Sequence, residues 1–370
     1  MEPDRGAVAS ALDALAKAFT PIQWTTPLEL TRHRERLAEQ VRRGDDSPYL
    51  ETIRFVKINS GPLRVAASDV FTAAVSLPTE MRELVEDDVK VTLSHLAAIE
   101  SRDDDALVEW SLNHDGLPSS RTIAESRRLL ATSPSTQEPQ NLGTETVQEA
   151  IESALVRHQL DDWQISVEQN MAAKMSVSGP QNLIRIRSDI AVSERDLLRL
   201  VAHEVGGHVL RWTNARRQRE PLAGFGFGHT VATEEGLAAL REEEQGLSSP
   251  RTLHTYALRV YGVIAAQELD LVGLTFALSE YTDPDSAAEL ALRLRRGIAD
   301  SQRPGGVTKD HGYLSGLLEL RTMASQDIAL LRGVKWSMTH LDLIRRLAEQ
   351  GRLEPPSLEY VPMDADSSRQ

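Results

Sequence analysis

The stretch "HEVGGH", His203 to His208, constrains this chain more than any other. Its histidines are five residues apart, with Glu204 beside the first and Gly206 and Gly207 before the second. In a regular α-helix each residue turns about 100°, so side chains four apart share a face and side chains five apart diverge by about 140°. Imidazoles placed that way cannot reach one ion. A local widening to i→i+5 hydrogen bonding would bring them back to one side. The two glycines sit where that distortion must occur. Each costs about 1 kcal/mol relative to alanine inside a helix, and a backbone free to bulge gives a reason for both. The motif therefore predicts a metal-binding helix with a widened turn at Gly206-Gly207.

The surroundings agree. Ser193 opens the helix with Asp196 three residues on, in the manner of a capping box. Leu197, Leu198, Leu200, Val201, Val205, Val209 and Trp212 surround it with apolar groups, so it should be buried. Before it come three β-like runs, "WQISVEQN", "AKMSVS" and "NLIRIRSD", the last two separated by the turn residues Gly179-Pro180-Gln181-Asn182. Strands followed by a buried helix carrying two histidines is the order of a zincin-like catalytic lobe. The fold class expected is α+β, predominantly helical, with a small sheet beside the motif helix. Residues 1–132 read as a mainly helical N-terminal region, from "ASALDALAKAF", "ELTRHRERLAEQV", "DVKVTLSHLAAIE" and "TIAESRRLLA". "SPYLETIRFVKI" could add a short strand. The Ser, Thr, Pro and Gln of residues 133–145 read as a linker, residues 146–352 as the catalytic domain, and residues 353–370 as an extended or frayed tail.

Composition narrows the chemistry. The chain has no cysteine, which removes disulfides, thiolate ligands and cysteine nucleophiles together. A third metal ligand must then be a carboxylate or another histidine. "ATEEGLAAL" supplies Glu234 and Glu235 at the start of an apolar helix, with Thr233 as its cap. The same acidic pair would also suit a helix N-terminus with no metal at all. A net charge of −14 argues against nucleic acid, which needs a basic surface. The most apolar stretch, "YALRVYGVIAAQELDLVGLTFAL", is broken by charged residues and is not a membrane span. A cytoplasmic protein is expected.

"HEVGGHVLRWTNA" followed by "TEEGLAAL", "RLRRG" and "GGVTKDHGYLSGL" resembles the flavohemoglobin-expression-modulating QEGLA-motif family. That family's animal relatives include the microtubule-associated tyrosine carboxypeptidases. The resemblance covers about residues 150 to 325, and more faintly "FTPIQWTTPLE" near the start. It implies a zinc enzyme in which His203 and His208 bind Zn2+, Glu204 is the catalytic glutamate and Glu235 is the third ligand. The Gln of the QEGLA motif is Glu234 here, a departure that leaves two adjacent carboxylates. The chemistry implied is peptide hydrolysis, with Glu204 as general base toward a zinc-activated water. Tyr313 and His311 are candidates to stabilise the oxyanion. Lys309, Arg296 and Arg259 are candidates to hold the carboxylate of a peptide or protein C-terminus, Lys309 first. A tyrosine or other aromatic C-terminal residue is the substrate this implies. Two alternatives remain at this point, a non-enzymatic regulatory protein on a zincin-like fold and a zinc amidase acting on a small molecule. "AGFGFGHT", with His229, lacks the strand-then-helix setting of a phosphate loop. The sequence does not fix an oligomeric state.

Overall fold

The computed structural model describes residues 4–132 and 138–363. Part of the expected linker, 133–137, and the end of the expected tail, 364–370, lie outside the described residues. The architecture is predominantly helical with one small sheet. Among the described residues no helix is long and apolar enough to cross a membrane.

Helices form where the apolar spacing placed them, over Arg5–Ala18, Leu30–Arg43, Thr79–Ser101, Ser120–Leu130 and Thr144–Arg157. Their ends follow local chemistry. The Asp4 carboxylate accepts from Ala7 N–H and the Ser119 hydroxyl from Thr122 N–H. Gly44 closes Leu30–Arg43 with a positive φ of 64°. Residues 47–58 form no strand, against expectation. Tyr49 and Ile53 are buried, but this segment's hydrogen bonds go to loops: Leu28 N–H to Arg54 O and Ser301 Oγ to Tyr49 O. An apolar alternation without a partner strand has no ladder to join.

The sheet has three strands, β1 (Gln164–Glu168), β2 (Met175–Ser178) and β3 (Leu183–Arg187), in the order β1-β3-β2. The Gly179–Gln181 turn, closed by Asn182 at φ 46°, folds β2 antiparallel onto β3, Val177 opposite Ile184. β1 lies parallel on the other side of β3, Ile165 opposite Ile184. β2 is therefore an edge. Leu142 pairs with Val192, which ties the chain after residue 137 to the start of the motif helix.

Of four packing regions among the described residues, two bear most on the motif helix and the N-terminal half. One gathers the sheet and motif helix around Ile151, Ile184, Ile186, Val201, Val205 and Val209. The other joins Val8, Leu12, Val70 and Val85 of the N-terminal helices to Leu222, Trp336 and Ile344. The tail is not frayed through residue 363. Tyr360 is buried in the first region and stacks on His158 with ring centroids 5.6 Å apart. Asn214 bonds the Leu358 backbone at both its N–H and its C=O.

Close helix contacts are made by glycine. A Cβ at Gly207 would lie 2.9 Å from Ala238 Cα, in the helix Val231–Glu244. One at Gly236 would lie 2.6 Å from the Gly316 carbonyl carbon, in the helix Gly312–Leu320. The glycines of the motif thus serve packing as well as backbone freedom. Gly316→Ala forces backbone apart at Ala232 and should cost about 1–3 kcal/mol or more. Chemical denaturation should give a lowered midpoint, and an unchanged midpoint would mean that this crossing yields without strain.

Candidate active site

The motif lies on one continuous helical run in three segments: α-helical Glu194–Val201, π-helical Ala202–Val209 and α-helical Leu210–Arg216. Ser193 caps it, its Oγ accepting from Asp196 N–H at 3.2 Å. In the middle segment the bonding widens, and Leu210 N–H reaches Val205 O five residues back. The His203 and His208 rings consequently converge, with centroids 5.1 Å apart.

The third member comes from the helix Val231–Glu244. This helix begins at Val231, so Thr233 is inside it and does not cap it; its hydroxyl instead accepts from Met338 N–H at 2.9 Å. Glu235 Oε2 lies 3.4 Å from His203 Nε2 and 3.7 Å from His208 Nε2. One ligand atom from each of these three residues lies within 4.8 Å of the others. Glu235 Oε2 is buried with no hydrogen-bond donor. An orphaned carboxylate oxygen aimed between two imidazole nitrogens suits a divalent cation, and two nitrogens with one oxygen are a zinc donor set.

The far ring nitrogens meet further carboxylates. His203 Nδ1 is 2.8 Å from Glu242 Oε1, which also accepts from Tyr256 OH at 2.8 Å and Arg199 Nη1 at 3.1 Å. His208 Nδ1 is 3.6 Å from Glu234 Oε2. Glu234 is occupied on its other side, by Arg211 Nη1 at 2.6 Å and by Lys335 Nζ. Burial alone would push His203 and His208 down, but the carboxylates outweigh it. His203 is raised, and His208 is raised to about 10. Glu235 is likewise held well below the usual carboxylate range against its burial, by both histidines. This crowding favours positive charge at the centre, which a divalent cation supplies while leaving both imidazoles neutral.

Glu204 is buried and lines the cavity of ≈830 Å³ onto which the cluster opens. Tyr313, Arg296 and Lys309 line it too. The Tyr313 hydroxyl sits 3.3 Å from Arg293 Nη2, and burial and the nearby Glu235 charge push it up to about 12. Among the described residues neither Arg296 nor Lys309 forms an ion pair; the only hydrogen bond of the Arg296 side chain runs from Nε to Arg293 O. Burial and Arg296 lower Lys309 to about 8, and burial and Arg293 lower Arg296 to about 10. Arg259 does not line the cavity. Its guanidinium stacks on the Tyr313 ring, 3.9 Å from the centroid, so it touches this side chain and not the open space. His311 is also turned away, its ring nitrogens meeting Ser315 Oγ and Asp115 O.

With this geometry in place, the comparison with known proteins is decisive. A sequence profile described as microtubule-associated tyrosine carboxypeptidase matches residues 64–370. The chain belongs to the microtubule-associated tyrosine carboxypeptidase family. It is 30% identical over 177 residues to microtubule-associated tyrosine carboxypeptidase 1 of Rattus norvegicus, covering 46% of this chain and 37% of that protein. With the Homo sapiens protein of the same name it is 32% identical over 153 residues, covering 40% and 32%. The chain thus spans well under half the length of these relatives.

Sequence reasoning missed Glu242, Arg293, Arg211 and Lys335 in this family member. Glu242 was within reach, because it follows Glu235 by seven residues and so shares its helix face. Arg293 lies in the quoted "RLRRG", three residues before Arg296. Lys335 carried no local signal, since its partner Glu234 is about a hundred residues away in sequence. Glu234→Gln leaves Arg211 and Lys335 buried beside one less anion, at a cost of about 3–5 kcal/mol. Adding Lys335→Met should recover part of that loss. Thermal denaturation of both single variants and the double gives the coupling, and strictly additive losses would mean that the two do not act as a pair.

Proposed function

We propose that the chain is a zinc-dependent carboxypeptidase on a zincin-like fold, acting on the C-terminus of a peptide or protein. The observation that carries this reading is one cavity holding His203, His208 and Glu235 together with Glu204 and two unpaired cations, Arg296 and Lys309. The family's description as tyrosine carboxypeptidases supports it. A cytoplasmic setting and a tyrosine or other aromatic terminal residue belong to the same proposal. Peptides are favoured over a small amide because the cavity runs beside β2, whose second edge is free to pair with an extended chain.

His203, His208 and Glu235 would hold the zinc ion, which when bound would supply Lewis acidity toward water and the scissile carbonyl. Glu242 and Glu234 orient the two imidazoles through their Nδ1 atoms. Glu204 takes a proton from the attacking water as the new C–O bond forms, and delivers it to the leaving nitrogen as the C–N bond breaks. Tyr313 keeps its proton at neutral pH and donates to the developing oxyanion. Arg259, stacked on its ring, fixes the phenol in place. The Arg296 fork suits bidentate capture of the terminal carboxylate, and Lys309 adds a second charge.

Incubation of the purified protein with a mixed peptide library tests this. Products one residue shorter at the C-terminus are expected, together with about one zinc per chain. Glu204→Gln should keep its zinc and lose about 10²–10⁴-fold in kcat. Internal cuts, or equal cleavage of C-terminally amidated peptides, would reject the carboxypeptidase. Zinc retained at full occupancy in both His203→Ala and His208→Ala would reject the metal site.

The carboxylate anchor also has a pH signature. Lys309, lowered to about 8, carries its charge below that pH and loses it above, whereas Arg296 stays charged to about 10. KM for free C-termini should therefore rise as pH passes about 8. A KM flat between pH 7 and 9.5 would remove Lys309 from the anchor.

A further inference from the structure

The wall of the cavity away from the metal-ligand cluster is built from a part of the chain outside the family match. Residues 64–370 carry that match, yet Phe19, Ile22, Trp24 and Val56 line the same cavity as His203 and Glu204. Two segments form this strap, the turn around the short helix Pro21–Thr25 and the extended residues 55–57. The strap is fixed in place. Arg102 donates from Nη1 to Trp24 O at 3.4 Å and from Nη2 to Val56 O at 2.5 Å, and its guanidinium lies over the Phe55 ring. Asn170, also in the cavity lining, accepts from Leu30 N–H and donates to Pro27 O. Phe19 packs edge-on against Trp24 and against His95.

The chemistry of this wall contrasts with that of the site. Ile22 is 48% and Val56 38% exposed, and both face the cavity that also carries Glu204, Glu235, Arg296 and Lys309. Single exposed apolar residues are ordinary. Two of them on a clamped wall, in the same cavity as unpaired Arg296 and Lys309, give it an apolar contact surface beside an ionic one. Lys57 is the strap's one charge and is exposed, so a pair formed there is largely solvent-screened.

We propose that this strap is a specificity element that selects apolar or aromatic side chains in the residues just before the substrate's terminal one, and disfavours acidic ones. The proposal rests on the carboxypeptidase reading above. A chain anchored at its carboxylate by Arg296 and Lys309 and extended along β2 turns alternate side chains to opposite sides. One set meets the strap. An apolar side chain there removes Ile22 and Val56 from water, whereas a carboxylate would be desolvated beside them with only the solvent-screened Lys57 as a counter-charge on the strap.

The test uses two free-acid peptides of the same length and terminal residue, with Leu or Glu at the two preceding positions. Wild type should favour the Leu peptide about ten-fold or more in kcat/KM. Ile22→Asn, at an exposed position where folding is not at stake, should bring that ratio toward one while zinc content and thermal midpoint stay unchanged. The same ratio should appear in Kd for the Glu204→Gln protein, read by fluorescence of the cavity tryptophans. No preference in wild type, a ratio untouched by Ile22→Asn, or a preference for Glu abolished by Lys57→Met would each overturn the proposal. A Leu preference in Kd with no cleavage by wild type would leave the strap standing and remove the carboxypeptidase.

Discussion

Everything at this site depends on two helix crossings with no side chain larger than an alanine methyl between them. The helix Val231–Glu244 touches the motif helix where Gly207 meets Ala238, and touches Gly312–Leu320 where Gly236 meets Gly316. Backbones this close leave Glu235 within 3.4 Å of His203. They also bring Tyr313, on the third helix, to stack against His203 with ring centroids 6.1 Å apart. Larger side chains at either crossing would push the layers apart and separate Glu235 from the two histidines. The glycine of the EGLA sequence is thus a spacing device one residue from the carboxylate it positions.

The second constraint is charge. Glu204, Glu234, Glu235 and Glu242 crowd a buried region, an arrangement too costly without compensation. Compensation comes from outside the motif helix's centre: Arg199 reaches Glu242, and Arg211 and Lys335 reach Glu234. Each cation is thereby occupied. Arg293 is likewise taken up by Asp310. Arg296 and Lys309 are buried cations of the cavity wall left without such a partner among the described residues; Arg259 lies off the cavity, on the Tyr313 ring, so they and not Arg259 suit an incoming anion.

The N-terminal helices are part of this machinery. Ser111 accepts from Thr308 N–H at 2.8 Å and holds the turn that carries Lys309 and Asp310. Asp104 accepts from Ala299 N–H and Asp300 N–H, fixing the loop after Arg296. The strap completes the cavity from the same half of the chain. Residues far apart in sequence therefore line one cavity.

Local order was legible in the amino-acid sequence alone. Helical periodicity placed the helices Arg5–Ala18, Leu30–Arg43, Thr79–Ser101, Ser120–Leu130 and Thr144–Arg157, Gly179–Asn182 placed the β2–β3 hairpin, and Ser193 placed the start of the motif helix. The five-residue spacing of His203 and His208 implied the widened turn, because hydrogen-bond geometry within one helix is a local property. Only the tertiary structure decided which residues meet across helices. It gave Thr233 a partner in Met338 in place of a cap, left residues 47–58 without a strand to pair with, docked Tyr360 on His158, and turned Arg259 onto Tyr313. Each of these outcomes depends on a group tens or hundreds of residues away, and no local pattern carries the position of such a partner.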